Sequence, residues 1–305
     1  MTMRRLIQKI ILTILSWVTP QITSILALII KKIFFSKKSK RYKVSMINLK
    51  ICFPEKSDDW LEKMASTSLG EFAKAILEAP YLWRVASKSI DKLILKVHEE
   101  HYIDQSLEKN KGIIFLTPHH GCWELSGLYA ASKIDTAILF NPFKNQTLNN
   151  YVLKGRAVTG ATVVPTDNAG IKVLLKFLKN NKAIGILPDH TPKAGQGKMS
   201  FFFNEPSNTI TLINKLARKS KVPIMFIHSK RLPKGIGYEV FVEKINDEYY
   251  ECSDDDALLI LNKSLEKIIL KYPEQYLWSY EKFRNRVGVE ENIYVTTFSK
   301  THELE

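Results

Sequence analysis

An abrupt change from a strand pattern to a helix pattern, at the sequence Thr-Pro-His-His-Gly-Cys-Trp-Glu, constrains the fold of this chain most. The apolar run 112–116 before it predicts a buried strand, and the residues after it have helical spacing. Pro118 favours an extended backbone before it, and Gly121 tolerates backbone angles that other residues resist. We therefore expect a tight turn with His119 at the end of the strand and Glu124 in the first helical turn.

This turn pairs an imidazole with a carboxylate. On one continuous helix, residues five apart would not face each other, so the break is required. A carboxylate beside an imidazole fixes its tautomer and stabilises its protonated form. His119 is therefore a candidate general base, and Glu124 is the candidate group that orients it. A His–Glu pair that serves the fold alone is the alternative interpretation.

The chain after residue 112 alternates short apolar runs with helical segments. This alternation predicts an α/β fold with a mixed, mostly parallel central sheet flanked by helices. The runs 222–228 and 238–242 are expected to pair late in the sheet, joined by the turn 233–235. The expected strands are 113–116, 136–140, 162–165, 183–187, 222–228 and 238–242, and the expected helices are 58–86, 124–132, 145–158, 168–180, 208–220 and 255–271.

The N-terminal segment 10–30 contains no charged residue. As one helix it would be about 31 Å long, which is close to the thickness of a bilayer core. Alternatively, Pro20 breaks it into two short helices that lie in the membrane surface. Lysines and arginines are denser after this segment than before it, which predicts a cytoplasmic location for the bulk of the protein. We expect a membrane-anchoring helical segment and basic flank at 1–40, one main domain at 41–290 and a tail at 291–305.

Charge and cysteine content narrow the class of protein. The formal net charge of +14 predicts attraction to nucleic acid, an anionic membrane surface or an acidic substrate, and the apolar N-terminus favours the membrane over nucleic acid. Three cysteines lie far apart without CxxC spacing, which argues against a disulfide framework and against a zinc ribbon. A reducing compartment is therefore expected.

Polar groups follow several of the predicted strands, where α/β proteins usually bind ligands. Asn141 follows the run 136–140, and the next helix carries Arg156. Asp189 and His190 follow the run 183–187. Asp189 capping a turn, His190 packing and a solvated Arg156 are the alternative interpretations.

The order of several motifs resembles the bacterial lipid A biosynthesis acyltransferases, the late Kdo-dependent lauroyl and myristoyl transferases. The resemblance extends from about residue 41 to residue 286. The His-x4-acid pattern alone is shared by a wider glycerolipid acyltransferase superfamily. The motifs are Thr117-Pro118-His119-x4-Glu124, Asn48-Leu49-x-x-Cys52-Phe53-Pro54-Glu55, Pro188-Asp189-His190 with Gly-x-Gly and Phe201-Phe202-Phe203 after it, and the run 272–278 ahead of Phe283.

The resemblance implies transfer of a fatty acyl chain from acyl carrier protein, or from an acyl-CoA thioester, to a hydroxyl of a lipid A precursor. It places the enzyme at the inner membrane with the catalytic domain on the cytoplasmic side. It implies no metal, no cofactor and no nucleic acid. His119 would take the proton from the hydroxyl, Glu124 would orient His119, and Arg156 would stabilise the developing negative charge. The other candidate substrate-binding residues are Gly121, Asn141, Asp189 and His190.

The chain departs from the family pattern at three places. A second histidine follows His119, Cys122 stands where asparagine is usual, and Asn141-Pro142 stands where relatives often carry Arg-Pro. Another glycolipid or a lysophospholipid therefore remains an alternative acceptor. Two other classes also remain open: a membrane-surface binding protein without activity, and a metal-dependent hydrolase with His119, His120, Glu124, Asp189 and His190 as ligands.

Overall fold

A computed structural model of the chain describes residues 3–193, 195–284 and 292–295. Its contacts divide the chain into two compact units. The first comprises Met1–Leu28, Ala73–Leu187 and Ala217–Ile245, and the second comprises Ile29–Phe72, Pro188–Leu216 and Asn246–Glu305. The division into anchor, main domain and tail stays a prediction, and most of the expected tail lies outside the described residues.

The helices are α1 (Met3–Leu15), α2 (Pro20–Phe34), α3 (Lys40–Cys52), α4 (Asp58–Ala86), α5 (His101–Glu108), α6 (Trp123–Lys133), α7 (Gln146–Arg156), α8 (Asn168–Lys179), α9 (Leu212–Ser220) and α10 (Asp254–Lys271). The strands are β1 (Ile94–His98), β2 (Ile114–Leu116), β3 (Thr136–Phe140), β4 (Thr162–Pro165), β5 (Ala183–Ile186), β6 (Gly197–Phe202), β7 (Glu205–Ile210), β8 (Ile224–Arg231) and β9 (Tyr238–Lys244).

The first unit is built on a seven-stranded sheet in the order β1-β9-β8-β2-β5-β3-β4. Neighbouring strands from β8 to β4 are parallel, as are β1 and β9, whereas β8 and β9 are antiparallel. A mixed, mostly parallel sheet with a late β8–β9 pair confirms the predicted α/β sheet, whereas the membrane-anchoring role of the N-terminal segment stays a prediction. Its central strand β2 is completely buried, which fits the uninterrupted apolar run that predicted it.

Several helices begin at a residue whose side chain caps the first turn. Asn145, Asp167 and Ser253 each accept a hydrogen bond from a backbone N–H in the first turn, at the starts of α7, α8 and α10. The core of the first unit joins the sheet to α4, α5 and α6, because residues from all of them are buried together. This core includes Leu82, Ile103, Phe115, Leu125, Tyr129, Met225, Ile227 and Val240.

The second unit contains an antiparallel hairpin, β6–β7, that is fastened to α10. The Asn262 side-chain amide donates to the carbonyl of Phe201 (2.9 Å) and to the hydroxyl of Thr209 (2.9 Å). The backbone N–H of Phe203 donates to Glu266 (2.8 Å). The sequence analysis missed this hairpin and predicted a helix from residue 208; in the structure β7 continues to Ile210. The short strand β1 was also missed.

Two sequence motifs meet inside the second unit. The Asn48 side-chain amide donates to the carbonyls of Trp278 (2.6 Å) and Tyr280 (2.7 Å). The Phe53 ring packs against the rings of Trp278 and Phe203. The early Asn-Leu-x-x-Cys-Phe motif and the late Tyr-Leu-Trp motif are therefore parts of one buried arrangement.

The N-terminal segment forms two helices rather than one. α1 ends at Leu15 and α2 begins at Pro20, a residue that suits a first helical position because its missing N–H has no partner there. The continuous helix considered for residues 10–30 is therefore wrong, and the break at Pro20 is confirmed. The helices of the described residues do not include one that is both long and apolar enough to cross a bilayer.

Candidate active site

The strand-to-helix turn forms as predicted, with one shift in position. β2 ends at Leu116, three residues before His119, and α6 begins at Trp123. The backbone between them is held by a hydrogen bond from the His120 N–H to the carbonyl of Pro118 (2.7 Å). Gly121 has a φ of 58°, in the left-handed region that favours glycine. The backbone freedom of Gly121 is the reason for which the sequence placed it in this turn.

His119 lies half-buried in this turn. Its ring meets the ring of Trp123 edge-on, with 5.3 Å between the ring centres. Glu124 is the second residue of α6, so its carboxylate lies near the positive end of that helix. The turn therefore places a half-exposed imidazole and an acidic group within one short stretch of chain.

Arg156, the last residue of α7, holds the Glu124 carboxylate. Its Nε lies 3.2 and 3.1 Å from the two carboxylate oxygens, and its Nη2 donates to Oε1. Burial lowers the pKa of Arg156, but the adjacent Glu124 charge and hydrogen bond offset this, and the net pKa is raised. The pair fixes the carboxylate in the bidentate geometry that arginine favours. The sequence analysis named both residues and did not predict their contact.

The Glu124–Arg156 pair lies at the polar part of a largely apolar pocket. The walls come from α6, β2, β3 and β5, all in the first unit. Gly127 of α6 lines the pocket, and a Cβ atom added there would meet no other atom within 4 Å. The lining includes Phe115, Leu128, Ile138, Leu139, Ile186 and Leu187. An apolar chain that ends in a polar, reactive group fits this arrangement.

A second arginine–glutamate pair contacts the same turn from β8 and α4. The Arg231 Nε lies 3.0 and 2.8 Å from the two carboxylate oxygens of Glu78. The Nη2 of Arg231 donates to the carbonyl oxygen of Gly121 (3.3 Å). Both side chains are buried. The sequence analysis missed both residues, because no local pattern links positions this far apart in the chain.

Ser229 of β8 holds the next residue of the turn. Its backbone carbonyl accepts from the Cys122 N–H (3.2 Å), and its hydroxyl donates to the Cys122 carbonyl (2.7 Å). The hydroxyl of Ser126, one turn into α6, donates to the Ser229 hydroxyl (3.2 Å). Burial raises the pKa of the Cys122 thiol to about 12. Cys122 is therefore a packed part of the turn rather than a nucleophile.

The second histidine of the motif points into the protein. His120 is fully buried, and its ring lies edge-on to that of His228, with 5.6 Å between ring centres. The Nε2 of His228 in turn lies 2.9 Å from the carboxylate of Glu243. Among the described residues, no group of three or more His, Cys, Asp or Glu side chains is arranged to hold a metal ion.

The remaining predicted site residues are distributed over both units. Asn141 follows β3 in the first unit and is exposed. Asp189 and His190 belong to the second unit, where Asp189 is buried and His190 is exposed. Burial and the Asp189 charge raise the pKa of Tyr276, and burial lowers the pKa of Lys282 to about 8 against the opposing effect of Asp189. Asp189 therefore interacts with the buried polar groups of Tyr276 and Lys282, so capping a turn is not its sole role.

The chain matches a family model described as bacterial lipid A biosynthesis acyltransferase over residues 5–285. It is 24% identical over 257 residues to a lipid A biosynthesis palmitoleoyltransferase of Escherichia coli K12, covering 84% of this chain and 83% of the relative. It is 26% identical over 254 residues to the lipid A biosynthesis lauroyltransferase of the same organism, covering 81% and 80%. It is 22% identical over 254 residues to the myristoyltransferase, covering 82% and 76%.

Proposed function

The chain belongs to the bacterial lipid A biosynthesis acyltransferase family, and we propose that it moves a fatty acyl chain from acyl carrier protein to a hydroxyl of a lipid A precursor. The proposal rests on the Glu124–Arg156 pair at the polar part of an apolar pocket, five residues along the chain from His119. The apolar lining suits the acyl chain, and the polar part suits its reacting thioester.

In the proposed reaction, His119 accepts the proton of the acceptor hydroxyl while the oxygen attacks the thioester carbonyl. The carbonyl oxygen becomes negative in the tetrahedral intermediate. Collapse of that intermediate breaks the carbon–sulfur bond, and the thiolate of the donor leaves and takes up the proton from His119. The products are an ester and a free thiol, so atoms and charges balance without a further reactant.

Arg156 has two proposed tasks in this reaction. It holds Glu124 in the geometry that the histidine needs, and it stabilises the negative oxygen of the intermediate. A guanidinium carries five N–H donors, and the contacts with Glu124 use Nε and Nη2. The raised pKa of Arg156 keeps it charged, which a stabilising role for an oxyanion requires.

The other predicted substrate contacts remain part of the proposal. Gly121 shapes the turn, Asn141 is exposed after β3, and Asp189 and His190 are proposed to contact the acceptor. The choice of acyl carrier protein over acyl-CoA as the donor is proposed from the family resemblance. The net charge of +14 suits an anionic acceptor.

We further propose that α1 and α2 lie in the cytoplasmic surface of the inner membrane. Both helices expose large apolar side chains, and basic residues accompany them at positions 4, 5, 9, 31 and 32. Exposed apolar residues combined with lysine and arginine are typical of interfacial helices on anionic membranes. The exposed side chains of the two helices are Met3, Leu6, Ile7, Ile10, Ile11, Ile14, Ile22, Ile25, Leu28, Ile29, Ile33 and Phe34, and Trp17 is exposed between the helices.

A transfer assay with the purified chain tests the reaction. The assay measures ester formation on a detergent-dispersed lipid A precursor, with acyl carrier protein or coenzyme A thioesters as donors. We expect transfer from the carrier-protein thioester, and loss of transfer in His119→Ala. His101→Ala is the matched control, because His101 lies exposed on α5. Full activity in His119→Ala would refute the proposed base, and transfer only from coenzyme A would refute the proposed donor.

Vesicle binding tests the membrane proposal. The double variant Ile10→Glu/Ile14→Glu places two charges on α1, and it should lose co-sedimentation with anionic vesicles. The matched control is Leu95→Glu/Leu107→Glu, which changes two exposed apolar residues elsewhere in the first unit. Equal binding by both double variants would show that α1 does not contact the membrane.

A further inference from the structure

The candidate catalytic turn lies against β8, which is longer than its neighbour β2. β2 ends at Leu116, which pairs with Phe226 of β8, whereas β8 continues to Arg231. Gly121 forms an isolated parallel bridge with Ser229 in this extension. β2 is too short to pair with the end of β8. The turn at Gly121 therefore pairs with that part of β8 instead.

Two residues of this extension bind the backbone of the turn. Arg231 donates to the carbonyl of Gly121, and Ser229 contacts both the N–H and the carbonyl of Cys122. Gly121 and Cys122 lie between His119 and Glu124 in sequence. A rotation of either peptide would move the imidazole relative to the carboxylate, since Glu124 is fixed on α6.

The buried charge of Arg231 calls for an explanation beyond stability. Replacing a buried ion pair by apolar residues of similar size is often neutral or stabilising, so the pair with Glu78 is weak evidence for a stabilising role. Its hydrogen bond to Gly121 instead acts on one peptide, at a residue held in the left-handed region. The positive charge of Arg231 favours the peptide orientation in which the Gly121 carbonyl oxygen points towards the guanidinium.

We propose that Arg231, oriented by Glu78, and Ser229 are positioning residues for the acyl transfer. They fix the peptides of Gly121 and Cys122 and thereby the placement of His119 against Glu124. They contact no substrate in this role. The inference rests on the proposed function, because it assigns these residues to the same His119 and Glu124.

The double variant Glu78→Met/Arg231→Met tests the inference while avoiding a lone buried charge. We expect a folded protein whose kcat is about 10- to 100-fold lower, as expected for a small misplacement of a reacting group. KM for donor and acceptor should change by less than about twofold, because ground-state binding is untouched. The loss should therefore lie in kcat, measured per folded molecule, and not in KM.

Two results would overturn the inference for this variant. The first is an unchanged kcat per folded molecule. The second is a loss of kcat/KM that comes mainly from a raised KM, because such a loss would assign these residues to ground-state binding of a substrate.

A pair of serine variants decides the matter if the double variant does not fold. Ser229→Ala removes the hydroxyl that binds the Cys122 carbonyl. Ser106→Ala removes a buried hydroxyl of α5 that donates only within its own helix, to the Tyr102 carbonyl. We expect kcat to fall about tenfold in the first and to stay unchanged in the second, with partial recovery in Ser229→Thr. Equal kcat values for both alanine variants would contradict the inference.

The same experiments separate this inference from the proposed function. Lack of transfer by the unsubstituted chain, or transfer that survives His119→Ala, contradicts the proposed function and removes the basis of the inference. Transfer that is lost in His119→Ala but keeps its kcat in the Arg231 and Ser229 variants contradicts the inference alone.

Discussion

Two arginine–glutamate pairs contact the same turn, and they differ in exposure. In the Arg156–Glu124 pair the side chains are 22% and 10% exposed, and both residues line the apolar pocket. In the Arg231–Glu78 pair the values are 3% and 1%, and the arginine reaches the backbone of Gly121. The same chemical pair thus occurs once at a pocket and once sealed within the core.

The difference indicates how each pair is expected to act. A pair that opens onto a pocket can exchange contacts with a ligand as charge develops, which suits the proposed reaction. A sealed pair is costly to break, because either partner alone would remain buried and charged. Changes at the first pair should therefore affect turnover, and charge-removing changes at the second should affect stability first.

Glu78→Gln should produce the largest effect on stability. It leaves the buried Arg231 charge without its carboxylate, and the loss of one partner of a buried pair costs about 3–5 kcal/mol. Glu124→Gln should cost about 1–2 kcal/mol, because its pair is partly exposed and loses mainly charged hydrogen bonds. Urea unfolding of both variants measures the difference. Equal free energies of unfolding would show that exposure does not distinguish the two pairs.

Glu124→Gln should lower turnover strongly although it costs little stability. The amide keeps the shape of the side chain but lacks the charge that stabilises a protonated His119. We expect kcat to fall about 10²- to 10³-fold, which lies in the usual range for a general base that loses its support. Steady-state transfer kinetics measure this, and a kcat close to that of the unsubstituted chain would assign Glu124 a structural role only.

Arginine-to-lysine substitutions test separately how the two pairs depend on arginine geometry. Lysine keeps the charge but loses the bidentate geometry. Arg156→Lys should lower kcat about tenfold and leave stability nearly unchanged, whereas Arg231→Lys should cost about 1–3 kcal/mol by leaving buried acceptors without donors. Parallel kinetics and unfolding curves test both halves. A larger stability loss at Arg156 than at Arg231 would reverse the assignment.

Gly127→Ala should produce the smallest effect. Gly127 lies inside α6, and the added Cβ has open space within the pocket. Alanine in place of glycine in a helix interior should stabilise the fold by about 0.5–1 kcal/mol. Thermal unfolding detects this gain. Transfer should persist, and Gly127→Leu should favour shorter acyl donors; unchanged chain-length preference in the leucine variant would show that the acyl chain does not pass this residue.

The sequence predicted those parts of the site that depend on local chemistry. Pro118, Gly121 and the flanking periodicities define the strand-to-helix turn, and the structure confirms it. The break at Pro20 was one of two open alternatives, because a proline can interrupt a helix or begin one. Both conclusions depend on the backbone preferences of neighbouring residues.

The sequence did not predict contacts between distant segments. Arg231 and Glu78 are 153 residues apart, and Arg231 and Gly121 are 110 residues apart. The hairpin β6–β7 was missed because Pro206 and the three consecutive phenylalanines lack a clear strand alternation, although Phe202 and Phe203 are buried and Phe201 is exposed. Such contacts depend on which strands become neighbours, and single-residue preferences carry little of that information.

The most direct test of the central claim is mass spectrometry of lipid A from cells that carry the unsubstituted chain or its His119→Ala variant. We expect a species heavier by one ester-linked acyl chain, present with the unsubstituted chain and absent with the variant when both proteins are made in equal amounts. Identical lipid A from the two cell types would contradict it.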